Sequence, residues 1–140
     1  MSSLHLKIIT PQKISLEEDV RSVTVPSEDG ELTILPRHMN LFTLLKEGIV
    51  VIRKQSTEDH LAIGGGYMET DGKEINVLVS RAYGQDEIDA KETERALEDA
   101  KKIVSSAKDE NQRKQAIATL RRSIVDLKLI KRRKQRQSSV

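Results

Sequence analysis

The chain has 140 residues and a formal net charge of +2, enough for one ordinary domain or a small domain with an appendage. It has no cysteine, which excludes disulfides, thiolate chemistry and cysteine-based zinc, and His5, His38 and His60 are too scattered for metal-ligand spacing. Aromatic residues make up only 2% of it, which argues against base stacking on single-stranded nucleic acid.

No apolar run nears the ~20 residues of a membrane span. The start "MSSLHLKIITP" has neither a signal-peptide core nor arginine-rich transit character, so a cytoplasm-like compartment is the default. Strand-like alternation begins at once with Leu4, Leu6 and Ile8, then Ile14 and Leu16, then Val23 and Val25. "LTIL", "LFTLL", "IVVI", "LAI" and "INVLV" follow, separated by turn signals such as "PSEDG", "LPRH", "KEG" and Asp71-Gly72. Short strands at this spacing predict an α+β chain whose first part, 1–84, is an antiparallel β-sandwich or flattened barrel.

After "RAYGQDE" the period changes. Ile88, Thr93, Ala96, Leu97, Ala100, Ile103, Val104 and Ala107 recur three or four apart, and after "SSAKDENQ" so do Ile117, Leu120, Ile124 and Leu127. The spacing predicts an antiparallel helical hairpin over 85–140, with Ala96, Ala100, Ile117, Leu120, Ile124 and Leu127 on its seam. Such a hairpin buries only one side of each helix and is thinly stable alone.

Three candidate chemistries fail on their own terms. "GGGYMETDG" leads into a strand, not a helix N-terminus, so Gly64, Gly65 and Gly66 serve packing, not a phosphate. Ser80 and His60 lie on different segments with no nucleophile elbow. The acids of "SEDGE" read as a solvated turn. No catalytic constellation is present in the sequence.

Charge is uneven along the chain. Residues 85–110 hold nine acids against five bases, and from Leu120 onward eight bases face Asp126 alone. Capping a helix C-terminus accounts for some of these cations. Six bases between Lys128 and Arg136 point further, to an acidic protein surface, nucleic acid or anionic lipid.

From about Leu4 to Lys134 the order of features resembles the epsilon subunit of F-type ATP synthases, called delta in mitochondria. The resemblance is carried by "VPSEDGELTILPRHMNLFTLLKEGIVVIR", then "LAIGGGYMETDGKEINVLV", then an acidic-start helical hairpin. It implies a non-catalytic subunit, without cofactor, on the cytoplasmic face of a bacterial energy-transducing membrane or the equivalent organelle face. Its membrane association runs through the complex alone, and no nucleic acid is expected.

The resemblance further implies a sandwich docked on the gamma shaft and the c ring, with a mobile hairpin. The hairpin folds down, or extends along the shaft to the alpha/beta head and impedes ATP hydrolysis. By position, Ser27, Glu28, Asp29, Gly30 and Glu31 match the ring-facing loop, and Pro36 and His38 match the gamma and ring interface. Arg121, Arg122, Lys128, Lys131, Arg132, Arg133 and Lys134 suit an acidic loop of the catalytic beta subunits.

Three positions depart from the family pattern: Thr33 and Arg37 stand where glycine is usual, and Asn40 where proline is usual. Some bacterial members also bind ATP in the folded hairpin through Ile/Leu-Asp-x-x-Arg-Ala. Here Ile88 and Asp89 are followed by Glu92 and Thr93, and Asp126 replaces an arginine. Asp89, Arg95 and Arg122 make at most a weak nucleotide site. The competing reading is a free-standing adaptor whose basic helix binds RNA or anionic membrane.

Overall fold

The computed structural model describes residues 3–38 and 40–138, with side chains through Arg132. Among the described residues there are ten strands: β1 (Leu4–Ile9), β2 (Ile14–Val20), β3 (Ser22–Ser27), β4 (Gly30–Ile34), β5 (Leu41–Leu45), β6 (Gly48–Arg53), β7 (Glu58–Ile63), β8 (Gly66–Thr70), β9 (Glu74–Val79) and β10 (Ala82–Gly84). A 3-10 turn at Gln85–Glu87 precedes α1 (Ala90–Ser106) and α2 (Glu110–Ser138). The chain divides into two compact units, Met1–Gly84 and Gln85–Val140.

The first unit is a nearly closed β-sandwich, as the strand spacing predicts. Its strands pair in the order β10-β7-β6-β3-β5-β8-β9-β1-β2, and β4 pairs β3 off this path. All pairings are antiparallel except β1 with β9. Alternation sets which residues face inward: Leu4, Leu6 and Ile8 of β1 and Ile75, Val77 and Val79 of β9 are buried while their neighbours are not. These join Val23, Val25, Ile34, Leu45, Val50, Ile52, Ile63 and Met68 in one core. Each fully buried large side chain there contributes roughly 1.5–3 kcal/mol.

The glycine run explains itself sterically at two of its three positions. A Cβ on Gly64 would collide with Ser80 Oγ, and one on Gly66 with the Leu78 carbonyl. Gly65 has room, its nearest atom being the Leu45 carbonyl oxygen at 3.5 Å. β10, which pairs with β7, was not expected from the sequence, because three residues are too few for a pattern.

The second unit is a helical hairpin. Asp89 caps α1 by accepting the Glu92 N–H at 3.1 Å, and the Gln85 side-chain amide donates to the Leu129 carbonyl at 3.0 Å. Ala100 is buried on α1, with Thr93, Ala96, Leu97 and Val104 half-buried around it. On α2 the buried positions are Ala116, Ser123, Asp126 and Leu129, with Ile117, Leu120, Leu127 and Ile130 half-buried. The sequence reading of the seam is corrected at Ile124, which is 41% exposed. On α2 the stripe was drawn through large apolar residues up to Leu127, whereas Ala116, Ser123 and Leu129 line the buried face.

Candidate docking surfaces

The loop that the resemblance assigns to the ring, 27–31, is the tip of the β3–β4 hairpin. Ser27 pairs with Gly30, leaving Glu28 and Asp29 as a two-residue turn, and Gly30 takes φ 123°. Ser27 Oγ donates to the Gly30 carbonyl at 2.5 Å, which ties the turn across its base. The Glu28, Asp29 and Glu31 side chains are exposed. Behind the tip, Glu28 N–H donates to the Leu44 carbonyl at 3.1 Å and Lys46 N–H to that of Pro26 at 2.9 Å. Thr33, the departure from glycine, shares a 2.8 Å hydroxyl hydrogen bond with Thr24, which also accepts from Arg53 Nη1 at 2.9 Å.

Pro36 and His38 are half-buried in the loop after β4. His38 N–H donates to the Leu35 carbonyl at 3.2 Å, and between them Arg37 adopts φ 67°. Arg37, where the resemblance implies glycine, thus stands at a position whose backbone is left-handed.

An exposed apolar feature of this unit was missed by sequence reasoning. Leu44 on β5, Tyr67 on β8, Leu78 on β9, Ile9 on β1 and Ile14 on β2 are successive register partners. Cross-strand partners share a face, so these five remote residues form one row across the outside of the sheet. Leu44 is 56% exposed and Ile14 55%. Phe42, 61% exposed, lies with its ring 5.3 Å from that of Tyr67. Two residues along, the next row begins with Phe42 and is polar beyond it: Glu69, Asn76, Lys7 and Glu17. A contiguous apolar strip with a polar border marks an interaction face. Its only sequence signal was apolar residues at the outward positions of half-exposed strands, which means nothing until the register is known.

On the hairpin, Arg121, Arg122, Lys128 and Lys131 are exposed and Arg132 is half-buried; the side chains of Arg133 and Lys134 lie outside the described residues. Arg121, Ile124, Lys128 and Lys131 are three or four apart and all exposed, so Ile124 sits in a basic outward stripe. Asp89, Arg95 and Arg122 are exposed as well, and the Asp89 carboxylate is engaged as the α1 cap.

Comparison with known proteins identifies the fold and the family together. The beta-sandwich domain model of the ATP synthase delta/epsilon chain matches residues 3–85. The ATP synthase epsilon chain of Halalkalibacterium halodurans is 38% identical over 124 residues, 88% of this chain and 93% of that one. That of Chloroflexus aggregans is 34% identical over 137 residues, 96% and 99% of the two chains. A chain in the cryo-EM structure of the Euglena gracilis mitochondrial ATP synthase shares the fold at TM-score 0.81 and 24% identity, covering 91% of this chain and 81% of that one. The chain belongs to the delta/epsilon family of ATP synthase subunits, as an epsilon chain. It is a structural and regulatory subunit, not a catalytic one, and the reading as a free-standing RNA or membrane adaptor is not supported. No helix among the described residues is long and apolar enough to cross a membrane.

Proposed function

We propose that the two units divide the work of a non-catalytic central-stalk subunit in an F-type ATP synthase. The sandwich joins the gamma subunit to the c ring, and the hairpin restrains ATP hydrolysis. The observation that carries the first half is the outward apolar row from Leu44 to Ile14, exposed at both ends and half-buried between them. Gamma docks along this row, and the Pro36–His38 loop lies at the edge of the contact. The acidic tip, Glu28, Asp29 and Glu31, faces the ring. Membrane association follows from the complex, on the face where the catalytic head sits.

The hairpin supports the second half. Its helices are 17 and 29 residues long, and at about 1.5 Å per residue they span roughly 70 Å end to end. Extended, they reach along a shaft to the alpha/beta head, where the basic stripe meets an acidic surface. The capped Asp89 and the buried Asp126 disfavour a nucleotide in the folded hairpin, so isothermal calorimetry of the isolated chain finds no ATP binding below millimolar.

Docking is tested by calorimetry of the full chain against purified gamma subunit. Leu44→Asp and Phe42→Asp each weaken binding at least about tenfold while the melting temperature holds, since both side chains face solvent in the free chain. Unchanged affinity in both variants overturns the assignment.

A further inference from the structure

Gly66 is crowded by the Leu78 backbone and Gly64 by the Ser80 and Arg81 side chains, whereas Gly65 is not crowded. Gly65 has an ordinary φ, is exposed, and has space for a Cβ. What its missing side chain leaves open is a groove of about 390 Å³, lined chiefly by nonpolar groups of Ile9, Pro11, Tyr67 and Leu78 beside Gly65 and Gly66. Ile9, Tyr67 and Leu78 are also members of the outward row, so the groove is a hollow in that same face. Phe42, packed on Tyr67, connects it to a second hollow of about 400 Å³ edged by Glu69, Asp71 and Glu74.

We propose that the glycine-lined groove receives one bulky apolar side chain of the stalk partner, and that a lysine or arginine near it on the partner meets the acidic hollow. This rests on the docking reading above and adds the partner's chemistry to it. A flat apolar row holds a partner weakly and without register, whereas a side chain seated in a desolvated hollow supplies an anchor and fixes position. Glu69, next to the row, and Asp71 and Glu74, two residues further along, select a cation and oppose an acidic segment. The occupant is thus a segment of the shaft subunit with a leucine, methionine or phenylalanine flanked by a basic residue.

The test uses the full chain and purified gamma subunit. Gly65→Leu fills the groove and is expected to raise the dissociation constant at least about tenfold. Gly65→Ala raises it less, and the melting curve stays in place for both. In the wild-type complex, the Ile9 and Leu78 methyls show intermolecular NOEs to methyl or aromatic protons of gamma, a readout independent of whether Gly65→Leu folds. Wild-type affinity in a folded Gly65→Leu variant, or absence of those NOEs, overturns the groove. If Leu44→Asp still weakens binding in that case, docking on the row stands without it. If wild-type chain does not bind gamma, the docking reading fails and takes the groove with it.

Discussion

The backbone N–H of Arg37 donates to the carbonyl of Gly72 at 2.9 Å, closing the loop after β4 onto the β8–β9 turn. Both residues are left-handed there, Arg37 at φ 67° and Gly72 at φ 90°. A Cβ on Gly72 would stand 2.5 Å from the His38 carbonyl oxygen. Gly72→Ala therefore meets strain and a collision together and costs about 1–3 kcal/mol in urea denaturation. Arg37→Gly relieves about 1 kcal/mol of left-handed strain and returns part of it through a more flexible unfolded chain. The net is a gain of about 0.5 kcal/mol, and a loss above about 1 kcal/mol contradicts this account of the loop.

A second relationship makes the edge strand pH-sensitive. His5 on β1 donates from Nδ1 to Asp19 at 2.8 Å and from Nε2 to Glu17 at 2.9 Å on β2. Both ring nitrogens are donors only in the imidazolium. Lys7 Nζ also lies 3.8 Å from Glu17, and Glu74 of β9 is the register partner of His5 on its other side. The hydrogen bonds to Asp19 and then Glu17 raise the His5 pKa above 6.5, and the bond from His5 lowers that of Glu17 below 4.5. The histidine's contribution is complete below 6.5 and disappears as pH rises through its folded value. That of Glu17 is complete above 4.5 and disappears as pH falls through its folded value. His5→Gln is thus most destabilising between pH 4.5 and 6.5. NMR titration of the His5 ring places its midpoint above 6.5, and Asp19→Asn brings it down. A midpoint at or below 6.5 in the wild type removes the clamp.

The corrected seam separates two substitutions that the periodicity alone treats alike. Ala100 is buried on α1, and adding three carbons there forces the helices apart. Ala100→Leu costs about 1–3 kcal/mol of hairpin stability. Ile124→Asp, on the exposed stripe, stays within about 0.5 kcal/mol. Hydrogen exchange of the α1 amides reads both changes, and the reverse order of effects restores the stripe drawn through Ile124.

These cases show where the sequence is legible. The sandwich was readable because strands such as β1 bury every second residue, and because glycine turns at 30 and 72 mark hairpin ends locally. Likewise, capping, helix period and the break near 107–109 are short-range signals that a single chain carries. The outward apolar row was not readable, because Ile9, Ile14, Leu44, Tyr67 and Leu78 become neighbours only through the register of five strands. For the seam, hydrophobic counting passes over small Ala116 and Ser123, and the proposed stripe stopped at Leu127, short of the fully buried Leu129.

Charge on α2 leads to the functional prediction. Arg121, Lys128 and Lys131 occupy one exposed stripe of α2. If this stripe meets an acidic surface on the catalytic head, inhibition depends on screened Coulomb attraction, whereas docking of the sandwich depends on apolar area. Substituting Arg121→Glu, Lys128→Glu and Lys131→Glu together should raise ATP hydrolysis by the reconstituted complex toward its level without the subunit. Affinity for gamma should not change. Added salt should relieve inhibition by the wild-type chain and leave the triple variant indifferent, because the Debye length falls from about 10 Å at 0.1 M to about 3 Å at 1 M. Should the triple variant leave gamma, the stripe contributes to docking and the division of labour between the two units is wrong. Should it stay bound and still inhibit at every salt concentration, the hairpin acts through its bulk and not through its charge.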